Sequence, residues 1–350
     1  MQSVKLGATV IGTGHPPYII AEIGSNHNGD MGLCRRLIDA AAEAGANAVK
    51  FQSWTEKSLI ANEEYERNTE YSDKKKHFGS LREMVRAYQF SENQHREALA
   101  HCRSRGIAFC STPFSEQEAD LLEELDVPFF KIASMDINYL SFLRYVARKS
   151  RPMVISTGMA TLSEIEQAVE TVCQEGNNQI ILLHCISIYP PEHKNIHLRN
   201  IEMLRQAFSV PVGFSDHSLG IAIPLAAIAL GSCIIEKHFT LDKEMHGWDH
   251  AISADPAELR TIVTQGRNIH IALGNTHRTV SAAEVDKRKK FRRSLVVRDA
   301  LPRGHVLTTA DLNAKRPGTG ISPSEHVYVV GRTLARDVKK DQVLSWEYLV

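Results

Sequence analysis

The sequence carries no excess of charge of either sign. Its 41 Lys and Arg balance 41 Asp and Glu. No global field therefore draws the chain to nucleic acid or to an anionic membrane, and any anionic ligand must be held by local charge. Cysteines are few, and none of the six (Cys34, Cys102, Cys110, Cys173, Cys185, Cys233) stands in a CxxC spacing. Most fall in apolar strand or helix patterns, which excludes a disulfide framework and fits the reduced, buried thiols of a cytoplasmic enzyme. Nowhere do 18 apolar residues run together, so no membrane-spanning helix is expected. The segment MQSVKLGATVIGTG lacks a basic stretch followed by a sustained apolar run, so no secretory signal is expected either. With 43% hydrophobic residues and only 13 Pro and 21 Gly, disorder and collagen-like repeats are also excluded.

What is present is a repeating pattern. The 350 residues exceed what one core organises unless that core is an α/β barrel of roughly 250 residues. Short apolar runs recur at YIIAEI (18–23), NAVKFQ (47–52), IAFCST (107–112), PFFKIAS (128–134), MVISTG (153–158), IILLHC (180–185), VPVGFSD (210–216) and CIIEKHFT (233–240). Each reads as a strand buried on both faces. Between them lie helix signals: Ser91 with Gln94, Ser115 with Glu118 and Thr161 with Glu164 at capping-box spacing, and Gly45 and Gly106 as helix stops. Strand then helix, eight times, predicts an α/β fold, a (β/α)8 TIM barrel over residues 1–274. The polar segment 53–80 reads as a lid on its C-terminal face. Residues 275–291 read as a polar, basic linker, and residues 292–350 as a small β-rich module. Within that module, 299–312 and 337–349 share a pattern of an apolar pair, a turn, Val-Leu and a short helical turn.

Catalytic groups of such barrels project from the C-terminal strand ends. Here those ends carry Glu22, Lys50, Gln52, Thr112, Lys131, Ser134, Ser156, Ser187, Tyr189, Ser215, His217, Glu236 and His238. Lys50 and Lys131 have no acid adjacent in sequence, and buried lysine is costly without an anion. With the surrounding hydroxyls they suit a phosphate and a carboxylate; the blander reading pairs each with a strand-end Glu. His217 and His238 close consecutive strands about 4.8 Å apart, so both imidazoles can meet one metal ion and leave positions open on it. Glu22, Asp216, Glu236 and Asp249 are eligible as further ligands, bases or hydroxyl acceptors, and spacing does not choose among them.

The motifs IAEIGSNHNGD, AVKFQ, FCSTPF, FFKIAS, ISTGMATLSEIE, LLHC followed by YPP, GFSDHSLG, IEKHFTLDK, and RRSL with KRPGTG stand in the order found in the N-acetylneuraminate (sialic acid) synthase family. The chain resembles that family, which includes legionaminate and pseudaminate synthases, over nearly its whole length, including a C-terminal antifreeze-like (SAF) domain. The resemblance implies condensation of phosphoenolpyruvate with the open-chain aldehyde of an N-acylated hexosamine, giving a nine-carbon 2-keto acid and phosphate. It implies that Lys50, Thr112, Lys131, Ser134, Ser156, Ser187 and Ser215 hold phosphoenolpyruvate. His217 and His238 would hold a divalent metal (Mn²⁺, Mg²⁺ or Co²⁺), and Glu22, Gln52, Tyr189 and Asp249 would contact the sugar. Arg316 would reach that sugar from the partner in a homodimer with exchanged SAF domains. Glu236 and Glu22 are both eligible to act on water. Met135-Asp136, Ser187 and Gly247-Trp248-Asp249-His250 depart from the family's usual residues near the sugar end, so they bear on the acceptor and not on the reaction. The other readings are a phosphoenolpyruvate-dependent aldol synthase making eight-carbon or aromatic-pathway keto acids, and a non-catalytic sugar- or ice-binding protein.

Overall fold

A computed structural model of the chain describes residues 3–73 and 76–350, so Met1, Gln2 and the Lys74 and Lys75 of the expected lid lie outside the described residues. Runs of branched and aromatic residues form eight parallel strands: β1 (Tyr18–Gly24), β2 (Ala48–Ser53), β3 (Ala108–Pro113), β4 (Phe130–Ile132), β5 (Met153–Ser156), β6 (Ile180–Cys185), β7 (Val212–Asp216) and β8 (Ile234–His238). Hydrogen bonding runs in the order β3-β2-β1-β8-β7-β6-β5-β4. The end strands β3 and β4 pack side by side and bring the sheet round into a TIM barrel. All eight sequence runs are strands. The fourth is shorter than its apolar run, because Ser134–Asp136 turns into a 3-10 helix.

The capping signals act largely as read. Ser91 and Thr161 open their helices with reciprocal capping boxes, and Gly45 and Gly106 end theirs in the left-handed region at φ 88° and 67°. Ser115 also caps its helix, but the Glu118 carboxylate does not return to it; Glu118 accepts instead from Ser58 Oγ at 2.6 Å. Outward strand residues such as Ile19, Phe109 and Ile235 pack under the helices with Leu37, Leu122 and Ile262. Inside, Ile20, Leu183 and Ile234 meet Val4, Leu6 and Ile11 of an N-terminal hairpin (Val4–Leu6, Thr9–Ile11). This apolar floor leaves polar side chains only the C-terminal end of the barrel.

The segment read as a polar lid is more ordered than its charge suggests. It holds helices Glu56–Leu59 and Asn62–Arg67 and a hairpin of Ser72–Asp73 with Lys76–His77. Its Trp54 and Tyr65 form a small core of their own with Leu81, Met84, Val85 and Tyr88, and Glu56 pairs with Arg82 and Arg86. Aromatic residues interspersed among charges supply that core, and they are what a reading by polarity alone passes over. No helix among the described residues is long and apolar enough to cross a membrane.

The chain divides at Gly274, and Asn275–Val350 forms a second compact unit. The stretch read as a linker is in part a helix, Ala282–Phe291, because Ser281 and Glu284 close a capping box at its start. Beyond it, Ser294–Val297 pairs antiparallel with Leu312–Lys315 over a core that includes Leu295, Leu307 and Leu344. The two related stretches each place a 3-10 turn after a Ser or Thr, at Thr309–Asp311 and Trp346–Tyr348, and bridge each other at Leu301 and Val338.

Buried histidines make the fold sensitive to acid. His27 stacks on Phe90 at 4.0 Å between ring centroids, and its Nδ1 accepts the Gly29 N–H at 3.0 Å. Burial, assisted by His95 and His250, pushes its pKa down to about 3. His27 is therefore neutral when folded but protonates near pH 6.5 when unfolded. The unfolded chain binds the extra proton, so this group's contribution is lost as pH falls below about 6.5, by up to about 1.4 kcal/mol per pH unit. Denaturant unfolding between pH 7.5 and 5 should show a shallower acid dependence in His27→Gln than in the wild type; identical slopes would contradict this assignment.

Candidate active site

A layer of four buried charges spans the mouth of the barrel. Lys50 from β2 and Lys131 from β4 point inward, with Glu22 from β1 and Glu236 from β8 between them; all four residues are at most 5% exposed. Lys50 Nζ lies 2.8 Å from Glu22 Oε2 and 3.8 Å from Glu236 Oε1, and Lys131 Nζ lies 3.9 Å from the same Glu236 oxygen. The acids absent beside each lysine in sequence thus arrive from other strands. Lys50 also donates to Thr112 Oγ1 (3.2 Å), and Lys131 to Ser156 Oγ (2.7 Å) and the Ile132 carbonyl (2.9 Å). A bulge in β1 between Glu22 and Gly24 sets the Glu22 carboxylate, which accepts from Gln52 Nε2 at 2.7 Å. Gly24 sits at φ 52°, and a Cβ there would lie 3.0 Å from Glu22 Oε1.

The two carboxylates differ in basicity. Burial pushes Glu22 up to about 7 against the pull of Lys50. Glu236 is equally buried, but Lys131, Lys50 and the Ser215 hydroxyl, which donates to it at 3.1 Å, hold it below the usual carboxylate range. Burial lowers Lys131, whereas the adjacent carboxylates outweigh burial at Lys50 and raise it. A carboxyl that carries a proton near neutrality therefore stands close to one that stays ionised, the separation that acid and base roles require.

His217 and His238 line the same cavity, with ring centroids 5.5 Å apart. The His217 Nδ1 donates to the Ile186 carbonyl at 2.8 Å, which leaves the lone pair on Nε2. His238 Nδ1 lies 3.9 Å from Asp249 Oδ2. Among the described residues no group of three or more His, Cys, Asp or Glu is arranged to hold a metal ion. The donor set fits a divalent ion held by two imidazoles, its other positions filled by water or ligand.

Ser134 and Ser187 converge beside β5. Gly158 N–H donates to Ser134 Oγ at 3.0 Å, and a Cβ on Gly158 would fall 2.4 Å from Ser187 Oγ and 2.8 Å from Ser134 Oγ. Only glycine lets both hydroxyls approach. With Thr112, Ser156 and Ser215 they line a cavity of about 320 Å³ that also holds the lysines, Gln52 and Tyr189. Asp249 and Trp248 lie in an adjoining cavity of about 610 Å³, walled by Trp54, Leu59, Ile60, Tyr71 and Ile188, and open to Met135 and Tyr189. Among its described lining residues there is no Lys or Arg. Arg316 belongs to the second unit, where its guanidinium lies over the Phe291 ring, 5.1 Å from the centroid.

Some site residues escape sequence reading. Cys185 lines the cavity, while the neighbouring His184 points away and bonds the Ile196 carbonyl at 2.6 Å; strand parity against Ser187 carried that signal. Asp136, read from the sequence as lying near the sugar end, lines neither of these cavities; one of its carboxylate oxygens is buried without a hydrogen-bond partner, and burial pushes its pKa up to about 6. Trp54, Tyr71 and Phe114 lie in a segment read as polar or past a strand end.

Residues 37–278 match the NeuB family and residues 292–350 the SAF domain. The N,N'-diacetyllegionaminic acid synthase of Campylobacter jejuni is 40% identical over 332 residues, covering 93% of this chain and 98% of that protein. Human N-acetylneuraminate-9-phosphate synthase is 35% identical over 339 residues, covering 96% and 94%. Among solved structures, the N-acetylneuraminic acid synthetase of Leptospira borgpetersenii in complex with citrate superposes with a TM-score of 0.74 at 36% identity, over 82% of this chain and 95% of its own.

The contacts of Gly158 make the hydroxyl cluster testable. If the cavity takes the phosphoenolpyruvate that the family resemblance implies, Gly158→Ala should force Ser134 and Ser187 apart and weaken its binding at least about 10-fold, the loss of roughly one charge-assisted hydrogen bond. Calorimetric titration checks this, and wild-type affinity in the variant would refute the convergence of the two serines on the anion.

Proposed function

The chain belongs to the NeuB family, and from that premise we propose that it condenses phosphoenolpyruvate with the open-chain form of an N-acylated hexosamine to give a nonulosonic 2-keto acid and phosphate. The observation that carries this reading is the buried layer of two lysines and two glutamates beside two histidines. As a sugar- or ice-binding surface, that layer would have no task.

Lys50 and Lys131 hold the phosphate and carboxylate, helped by Thr112, Ser134, Ser156, Ser187 and Ser215. A divalent ion (Mn²⁺, Mg²⁺ or Co²⁺) bound by His217 and His238 would polarise the acceptor aldehyde. Gln52, Tyr189 and Asp249 orient the sugar. The enolpyruvate double bond supplies the electron pair for the new carbon–carbon bond, and Glu22 gives its proton to the aldehyde oxygen. Positive charge at the enol-ether carbon is opposed by the ionised Glu236, which takes a proton from the water that adds there. The carbon–oxygen bond to phosphate then breaks, phosphate leaves with the hydroxyl proton, and transfer of one proton from Glu236 to Glu22 restores the pair.

For the acceptor, the apolar wall of Trp54, Ile60, Ile188 and Trp248 and the exposed Met135 favour a 2,4-diacetamido-2,4,6-trideoxyhexose, whose methyl group replaces a hydroxyl. We read Arg316 as acting on this sugar from a second copy in a homodimer. The exposed apolar residues Met135, Met159 and Leu219, 54%, 73% and 56% accessible on loops after β4, β5 and β7, support such a cover.

Phosphate release from phosphoenolpyruvate, measured across a panel of sugars, tests the reading. It should require an acceptor and favour the diacetamido-trideoxy sugar over N-acetylmannosamine by about 10- to 200-fold, the range apolar pockets achieve. Release with no acceptor of the panel would refute the reaction, and preference for N-acetylmannosamine would refute the acceptor. Arg316 is tested by mixing inactive Glu22→Ala and Arg316→Ala proteins after dissociation. Activity should return in mixed dimers, where one site has both residues intact; mixed dimers without activity would place Arg316 elsewhere.

A further inference from the structure

Three lysines are buried among the described residues, and the chemistry above uses only two. Lys237, on β8, lies on the strand face opposite to that of Glu236 and His238, and its side chain is 1% exposed. Its Nζ sits 2.6 Å from Asp216 Oδ2 on β7, its register partner, which is itself fully buried. Neither charge reaches the cavity. Phe214, Ile235 and Phe239 belong to the apolar core on this side of the barrel, where an apolar pair would be as stable or more so. Stability therefore does not account for the pair.

Its hydrogen bonds do. Lys237 Nζ also donates to the Ser218 carbonyl at 2.6 Å, while the other Asp216 oxygen accepts the Ser218 N–H at 2.9 Å. Both backbone groups of the residue following His217 are thus gripped, one by the residue preceding His238 and one by the residue preceding His217. We infer that Lys237 and Asp216 are positioning residues that fix the His217 imidazole against that of His238, and through this the affinity for the divalent ion. This rests on the metal reading above.

The test removes both charges at once, because Lys237→Met alone would strand a buried carboxylate. In Lys237→Met/Asp216→Asn the Asn oxygen can still accept the Ser218 N–H, and only the grip on the Ser218 carbonyl is lost. Protein stripped with chelator is titrated with Mn²⁺ and free Mn²⁺ is followed by its paramagnetic resonance. The double variant should keep a Tm within a few degrees of wild type and an unchanged metal-free affinity for phosphoenolpyruvate, yet bind Mn²⁺ about 10- to 100-fold more weakly. Wild-type Mn²⁺ affinity in the folded double variant would overturn the inference, as would failure of that variant to fold, which would assign the pair to stability. Wild-type protein that binds no Mn²⁺ would instead remove the metal reading itself.

Discussion

Two ammonium groups inside a barrel of apolar strands are the constraint on which the site depends. Taken out of water, each costs several kcal/mol unless anions approach closely. Glu22 and Glu236 meet that demand from neighbouring strands, so the unliganded layer is close to neutral although every member is charged or chargeable. In the reaction proposed above, phosphoenolpyruvate would have to compete with these glutamates for the lysines. Glu22, already close to holding a proton at neutral pH, can surrender its partner by protonation, whereas Glu236 keeps its charge against Lys131. In that reaction anion binding and the readiness of a proton donor would be linked through the Lys50–Glu22 ion pair.

The geometry above this layer follows from the same need. Small hydroxyl residues can share the lysines' donors without adding charge, and Gly158 leaves room for two of them. Beyond them the lining changes from ionic in one cavity to aromatic in the adjoining one. The lid's own core of Trp54, Tyr65 and Tyr88 holds that aromatic wall, so the wall belongs to the segment after β2 and the ionic layer to the barrel strands themselves.

Most of this was legible in the sequence. The eight apolar runs fixed the strands, and the polar residues that end them proved to be the cavity lining, because a strand's C-terminal end is the one place in a barrel where polar side chains escape the core. What remained hidden depended on contacts distant in sequence. Glu22 and Lys50 are 28 residues apart, and nothing local says that a bulge aims one at the other. The choice of Cys185 over His184 as the inward residue needed parity to be followed past the strand end. The lid's core and the helix at Ala282–Phe291 were obscured by charge, although both carried aromatic or capping signals of ordinary kind.

The short strand β4 has a mechanical consequence. It is three residues long and hydrogen-bonded to a strand on one side only, β5, whereas β2, which carries Lys50, is laddered to β1 and β3 on both. Strand edges with few ladder bonds yield at lower free energy than strands held from both flanks. Lys131 therefore stands where the barrel's hydrogen-bonded ladder is open and Lys50 where it is continuous, so the two cations are carried by backbones held by unequal numbers of ladder bonds.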